Sequence, residues 1–145
     1  MRLEIDLMEY SITTIPQYIT EVDMLTLNFQ ELSNEINEFN KEIEWKEMWT
    51  TEDARDRLSN NWRLIVYRPG NIIKGWYWLD NTKEPRNLYV NKGYRGLGIG
   101  KEMHLALLNV CKEVGMERVE CSIDDWNVAS KECIKKAGWS EVSYK

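Results

Sequence analysis

Seven residues, Arg95-Gly96-Leu97-Gly98-Ile99-Gly100-Lys101, place three alternating glycines between a β-rich segment and a long stretch of helical periodicity. Glycine has no Cβ, so the chain can take positive φ there and its backbone N–H groups can converge on one point. A helix opening at the same place adds the positive end of its dipole, and Arg95 and Lys101 add charge, so the turn suits phosphate oxygens. Tight packing against a neighbouring strand is the other use of such a turn. Spacing disfavours two nucleotide-binding loops. A Walker A loop needs glycine five residues before its Gly-Lys pair and Ser or Thr after it, where this chain has Arg95 and Glu102. The dinucleotide fingerprint G-x-G-x-x-G fails on its third glycine, and the segments before the turn read as hairpins rather than as a βαβ unit.

The 145 residues, 43% hydrophobic and 30% charged, suit one compact domain spanning 1–145. No run is long and apolar enough for a membrane helix, and Met1 to Tyr10 has no signal-peptide core, so a soluble, cytoplasmic protein without a membrane partner is expected. Cys111, Cys121 and Cys133 are odd in number and set among apolar neighbours, which suits reduced core thiols better than a disulfide framework or a metal site. The net charge of -5 is unevenly distributed. Glu21 to Asn60 holds 11 acids and 4 bases, while Asn61 to Lys145 holds 14 bases and 10 acids. An acidic wall can draw in a cationic amine and a basic one can hold a phosphorylated cofactor; solvated helix faces would give the same counts. With a pI of about 5.0 and no basic patch interleaved with aromatics, nucleic acid is not expected as a partner.

Arg2 to Leu7 alternates Leu3, Ile5 and Leu7 with charged residues, as a half-buried strand does. Thr13, Thr14 and Pro16 then read as a helix start, followed by Ile15, Ile19, Val22 and Leu25 at helical spacing. A second stripe, Leu32, Ile36, Phe39 and Ile43, precedes Trp45 and Trp49, and Thr50-Thr51-Glu52-Asp53 opens a further helix, so the segment to Asn60 is expected to be helical in pieces. Trp62 to Tyr67 and Ile72 to Leu79 read as a hairpin across Arg68-Pro69-Gly70-Asn71, with Trp76 and Trp78 on one face and Tyr77 on the other. Asn87 to Val90 and Arg118 to Ile123 read as strands, Met103 to Val114 and Val128 to Ala137 as helices, and Trp139 to Tyr144 as a last strand. The order predicts an α/β fold with a mixed, mostly antiparallel sheet flanked by helices.

Arg95, Gly98 and Gly100 match Q/R-x-x-G-x-G/A, and Asn127-Val128-Ala129-Ser130 running on to Ala137-Gly138-Trp139 supplies a second pattern: an Asn, a small residue three later, and a Gly-aromatic pair after a helix. Together, from about Asn61 to Val142, these resemble the GNAT superfamily of acetyl-CoA-dependent N-acetyltransferases. The first 60 residues resemble it only in general plan. The resemblance implies a splayed strand pair holding acetyl-CoA. The amides of Arg95, Gly96, Leu97, Gly98, Ile99, Gly100 and Lys101 would take the pyrophosphate, and Leu88, Tyr89 and Val90 would lie along the pantetheine arm. Asn127 and Ser130 would contact the same arm, although Asn127 also suits a helix N-cap. An amide at Val90 or one residue either side would donate to the thioester oxygen.

Many members carry a Tyr that protonates the departing thiolate seven residues after the Asn; this chain has Ile134 there. Tyr89 or Ser130 is expected to substitute, or transfer proceeds unaided because a thiolate is a good leaving group. Asp80 and Glu84 are the first candidates for the base that deprotonates an amine, with Glu120, Asp124 and Asp125 behind them; ordinary exposed carboxylates would look the same in sequence. Trp45, Trp49, Trp76 and Trp78 read as core more readily than as an acceptor wall. His104, with no metal-spaced partner, reads as a helix-surface residue. The expected reaction is direct acetyl transfer to a primary amine of a small molecule or peptide, with no covalent intermediate at Cys121 or Cys133. A CoA-binding module with weak or lost catalysis is the alternative. Only one strand's length of chain follows Gly138-Trp139 where the family has two, which predicts an open sheet edge and a homodimer covering it.

Overall fold

The computed structural model of the protein describes residues 2–8, 10–42, 49–123 and 128–142. Seven strands and four helices follow one another as β1 (Arg2–Asp6), β2 (Ile19–Val22), α1 (Phe29–Glu42), α2 (Thr51–Ser59), β3 (Arg63–Tyr67), β4 (Gly75–Leu79), β5 (Pro85–Val90), α3 (Ile99–Glu113), β6 (Arg118–Ser122), α4 (Val128–Lys136) and β7 (Ser140–Glu141). Among the described residues no helix is long and apolar enough to cross a membrane.

The strands form two ladders, β2-β3-β4-β5 and β6-β1-β7, antiparallel throughout. β3 and β4 are buried along nearly their whole length because both faces of their sheet are covered. On one face Leu64, Val66, Trp76 and Trp78 pack with Leu32 and Ile36 of α1, Ala54 of α2 and Trp49. On the other, Ile65, Tyr67, Tyr77 and Leu79 pack with Met103 and Leu107 of α3 and with Ile134 and Trp139. Trp49, Trp76 and Trp78 meet edge to face, with Trp49 and Trp76 centroids 4.9 Å apart, so these rings are core. The Thr50 cap predicted before α2 forms a reciprocal capping box with Asp53.

The structure corrects one sequence expectation and locates a second. The helix read through Ile15, Ile19, Val22 and Leu25 is a turn followed by the edge strand β2. A three-residue spacing puts Ile19 and Val22 on opposite faces of a strand, and each enters a different core. Thr20 and Glu21 between them stay exposed, and Glu21 takes both Arg63 Nε and Nη2 at 2.6 and 2.7 Å. Secondly, the place beside β6 is taken not by the last strand but by the other end of the chain. β1 lies between β6 and β7, pairing Leu3 with Cys121 on one side and with Glu141 on the other. β7 pairs only with β1 among the described residues, so the open edge on which a dimer was expected lies at β7.

Candidate active site

The ladder is interrupted between β5 and β6, which belong to different sheets although the glycine turn, α3 and a short connection link them. Between them lies a cavity of about 250 Å³, bounded by Glu84 to Leu88 on one side, Cys121 to Ile123 on the other, Tyr77 and His104 from β4 and α3, and Ser130 and Ile134 from α4. Within β5 the register against β4 slips by one residue. Trp76 faces Tyr89 and Trp78 faces Arg86, leaving both Asn87 and Leu88 opposite Tyr77, with Asn87 at φ 57°. Such a bulge turns backbone groups out of the ladder, here beside the cavity.

The glycine turn stands at the end of β5. Asn91 accepts from the amide of Gly93 at 3.0 Å and closes a single 3-10 turn, Lys92–Tyr94, ahead of it. Gly96 and Gly98 adopt φ of 80° and 81°, and α3 begins directly after Gly98, four residues earlier than Met103. The amides from Gly96 to Lys101 donate to no described group, so a row of N–H donors opens at the positive end of a 15-residue helix. Gly100 has a second function: a Cβ there would lie 2.8 Å from Cys133 Sγ, so its absence lets α4 approach α3. The Arg95 side chain is folded back. Its Nε donates to Val90 O at 2.7 Å and its Nη2 to Glu42 Oε2 at 2.6 Å, tying the turn to the end of α1.

Of the sequence candidates, Glu84, Leu88, Ser130 and Ile134 are brought together at the cavity. Tyr89 is not. It projects to the opposite face, 4% exposed against Trp76, and its hydroxyl donates to Glu42 Oε1 at 3.1 Å, so it cannot serve a thiolate in the cavity. Val90 remains in register with Gly75, and the break in the ladder falls at Asn87 and Leu88 instead. Asp80 is consumed by the β4–β5 turn, accepting from Thr82 N and Oγ1, Glu84 N and Arg86 Nε at 2.7 to 3.0 Å. Burial raises its pKa, but these hydrogen bonds outweigh burial and hold the carboxyl below its ordinary range, the reverse of what a base requires. Glu84 Oε1 takes Arg2 Nη1 at 3.2 Å, and its Oε2 takes Arg86 Nη2 at 3.4 Å. Glu120 is held by Arg2 and Arg118, and its pKa is lowered chiefly by the Arg2 hydrogen bond. Asp124, Asp125, Asn127 and Trp45 lie outside the described residues.

His104 overturns its prediction as a surface residue: it is 3% exposed, with Nδ1 3.1 Å from the Tyr77 hydroxyl. Burial lowers its pKa to about 3. The signal was present in sequence, since His104, Leu108 and Cys111 recur at i, i+4 and i+7 along the inner face of α3. Cys111 and Cys121 are core thiols as expected, whereas Cys133 is only partly buried. Cys121 borders the cavity, but burial pushes it up to about 12, and Cys111 likewise, so neither is a thiolate near neutral pH.

Several known proteins are similar to this chain. Residues 29–139 match the acetyltransferase (GNAT) family. A mycothiol acetyltransferase of Propionibacterium freudenreichii subsp. shermanii is 26% identical over 106 residues, which cover 65% of this chain and 34% of that protein. Solved structures that share the fold include the following three. A GCN5-related N-acetyltransferase from Sphaerobacter thermophilus has a TM-score of 0.67 at 19% identity, over 96% of this chain and 47% of that one. An aminoglycoside acetyltransferase from an uncultured soil metagenomic sample, in complex with trehalose, gives 0.65 at 18%, over 88% and 92%. A predicted acetyltransferase with acetyl-CoA from Clostridium acetobutylicum gives 0.62 at 17%, over 88% and 92%. The chain thus spans about a third of its curated relative and about half of the Sphaerobacter protein. With the family match covering α1 to α4, β3 to β6 and the glycine turn, the chain belongs to the acetyltransferase (GNAT) family.

Proposed function

We propose that this protein transfers an acetyl group from acetyl-CoA directly to a primary amine of a small molecule. The observation that carries the reading is the conjunction of the unpaired Gly96 to Lys101 amides with the cavity between the separated β5 and β6. The amides hold the CoA pyrophosphate, and the pantetheine arm runs along β5 past Leu88 into the cavity. There an amide of the Asn87–Leu88 bulge donates to the thioester oxygen as charge develops on it, a contribution of about 3 kcal/mol in comparable acyl-transfer sites. This moves the oxyanion donor two or three residues upstream of Val90. Glu84, the carboxylate bordering the cavity among the described residues, takes the amine proton directly or through water.

The small-molecule acceptor rests on the relatives, whose names specify mycothiol and aminoglycoside acetylation. Within that class an amino-sugar amine is the first choice. Thiol release from acetyl-CoA against a panel of amino sugars, aminoglycosides, polyamines and amino acids tests the reading. Acceptor-dependent release supports it, and CoA affinity without release by any of them would reduce the protein to a CoA-binding module.

A further inference from the structure

The cavity contains one buried polar pair to which no role has been given. Tyr77 and His104 are each 3% exposed, both border the cavity, and their rings meet at 5.0 Å and 89°. The Tyr77 hydroxyl and His104 Nδ1 are 3.1 Å apart, and the imidazole's other nitrogen has no hydrogen-bond partner among the described residues. Ile134 on the adjacent wall offers no donor.

We propose that His104 donates an Nε2–H hydrogen bond to the sulfur of the acyl donor as the C–S bond breaks, and that Tyr77 is the positioning residue that holds this tautomer. The inference rests on the assignment of the cavity to the thioester. Two protons belong to a neutral Tyr–His pair. When the hydroxyl donates to Nδ1, the second proton must sit on Nε2, leaving one outward donor and no bare lone pair on the ring. Burial favours this neutral pair by lowering the imidazole and raising the phenol. A neutral imidazole is suited to the task because it supplies a fixed dipole to developing charge without entering the reaction as an ion.

In the step itself the amine nitrogen bonds to the thioester carbon, the C–S bond breaks, and its electron pair leaves on sulfur. The nitrogen proton passes to Glu84 or water. The thiolate departs hydrogen-bonded to Nε2–H and takes its proton from solvent on release, while Tyr77 and His104 finish as they began.

His104 is the single histidine of the chain, so its ring nitrogens give unambiguous signals in 15N-labelled protein. The expected NMR result is an acceptor-type Nδ1 and a protonated Nε2, unchanged between about pH 8 and pH 5. The Nε2 signal should move on adding CoA and not on adding desulfo-CoA, which keeps the nucleotide and pantetheine but lacks the sulfur. Tyr77→Phe should release the ring into a mixture of tautomers. A proton on Nδ1 in the wild type would overturn the proposal, as would equal shifts with the two ligands, or no Nε2 shift while calorimetry shows CoA bound. If calorimetry shows no CoA binding at all, the assignment of the cavity falls first and this inference with it.

Discussion

Arg2 Nη1 stands 3.2 Å from Glu84 Oε1, joining the first strand of the chain to the β4–β5 connection beside the cavity. The same guanidinium holds Ser122 Oγ at 2.7 Å and Glu120 Oε2 at 3.0 Å on β6, so one side chain spans both sheets where their ladder is broken. Because Arg2 and Glu84 remain about a quarter to a third exposed, the link is worth little in stability. Arg2→Ala should cost about 1 kcal/mol or less in a denaturant melt. Glu84→Gln, by contrast, should lower kcat by about 10²-fold or more with CoA affinity unchanged, as expected on losing a general base. Steady-state kinetics beside calorimetry separates these outcomes.

Stability should fall with acid in a manner set by His104. Its folded pKa of about 3 is depressed below the unfolded value of about 6.5, so below pH 6.5 the unfolded chain binds a proton that the folded chain excludes. The stabilisation is therefore complete above pH 6.5 and is lost as pH falls toward 3, by up to about 1.4 kcal/mol per unit. Urea melts from pH 7 to pH 4 should show this slope, and His104→Gln should lessen it.

Gly100→Ala should destabilise the protein by about 1–3 kcal/mol, because its methyl would meet Cys133 Sγ at 2.8 Å and force α3 and α4 apart. Adding Cys133→Ala removes the obstructing sulfur, so the double variant should recover much of the loss. Thermal melts of the two single variants and the double variant measure the coupling.

Asp80→Ala should cost about 1–3 kcal/mol at pH 7 by leaving the amides of Thr82 and Glu84 without their acceptor. The native carboxyl is held below its unfolded pKa of about 3.9, so its contribution is present above that pH and is lost as pH falls further. The gap between wild type and variant should accordingly narrow below about pH 4, and CoA binding should not change.

Much of the site was legible because its parts are local. The glycine turn and the Thr50 cap depend on residues within one turn of one another and formed where the spacing placed them. The helix read from Met103 starts at Ile99, because the end of the glycine turn is its first turn. β2 was misread because Ile19 and Val22 satisfy a helical spacing equally well, and only the two separate cores beneath them decide for a strand. The insertion of β1 between β6 and β7 could not be read from Leu3 or Ile5, since alternation specifies a buried face and not a neighbour more than 110 residues away. The roles of Tyr89 and Asp80 depended on where β5 bulges and on which face each side chain leaves, both properties of the β4–β5 pairing. His104 was misjudged from its lack of a metal-spaced partner, when its place on the Leu108–Cys111 stripe was the stronger signal.

On the proposed function, the Gly96 to Lys101 amides and the β5–β6 cavity together hold CoA. Thermal unfolding with and without CoA tests it most directly, with Gly98→Ala as the control because its φ of 81° is strained for any residue bearing a Cβ. At about 100 times its dissociation constant CoA should add roughly 2.7 kcal/mol of stability to the wild type, and far less to Gly98→Ala at the same concentration. No stabilisation of the wild type by millimolar CoA, or an undiminished one in Gly98→Ala, would contradict the account.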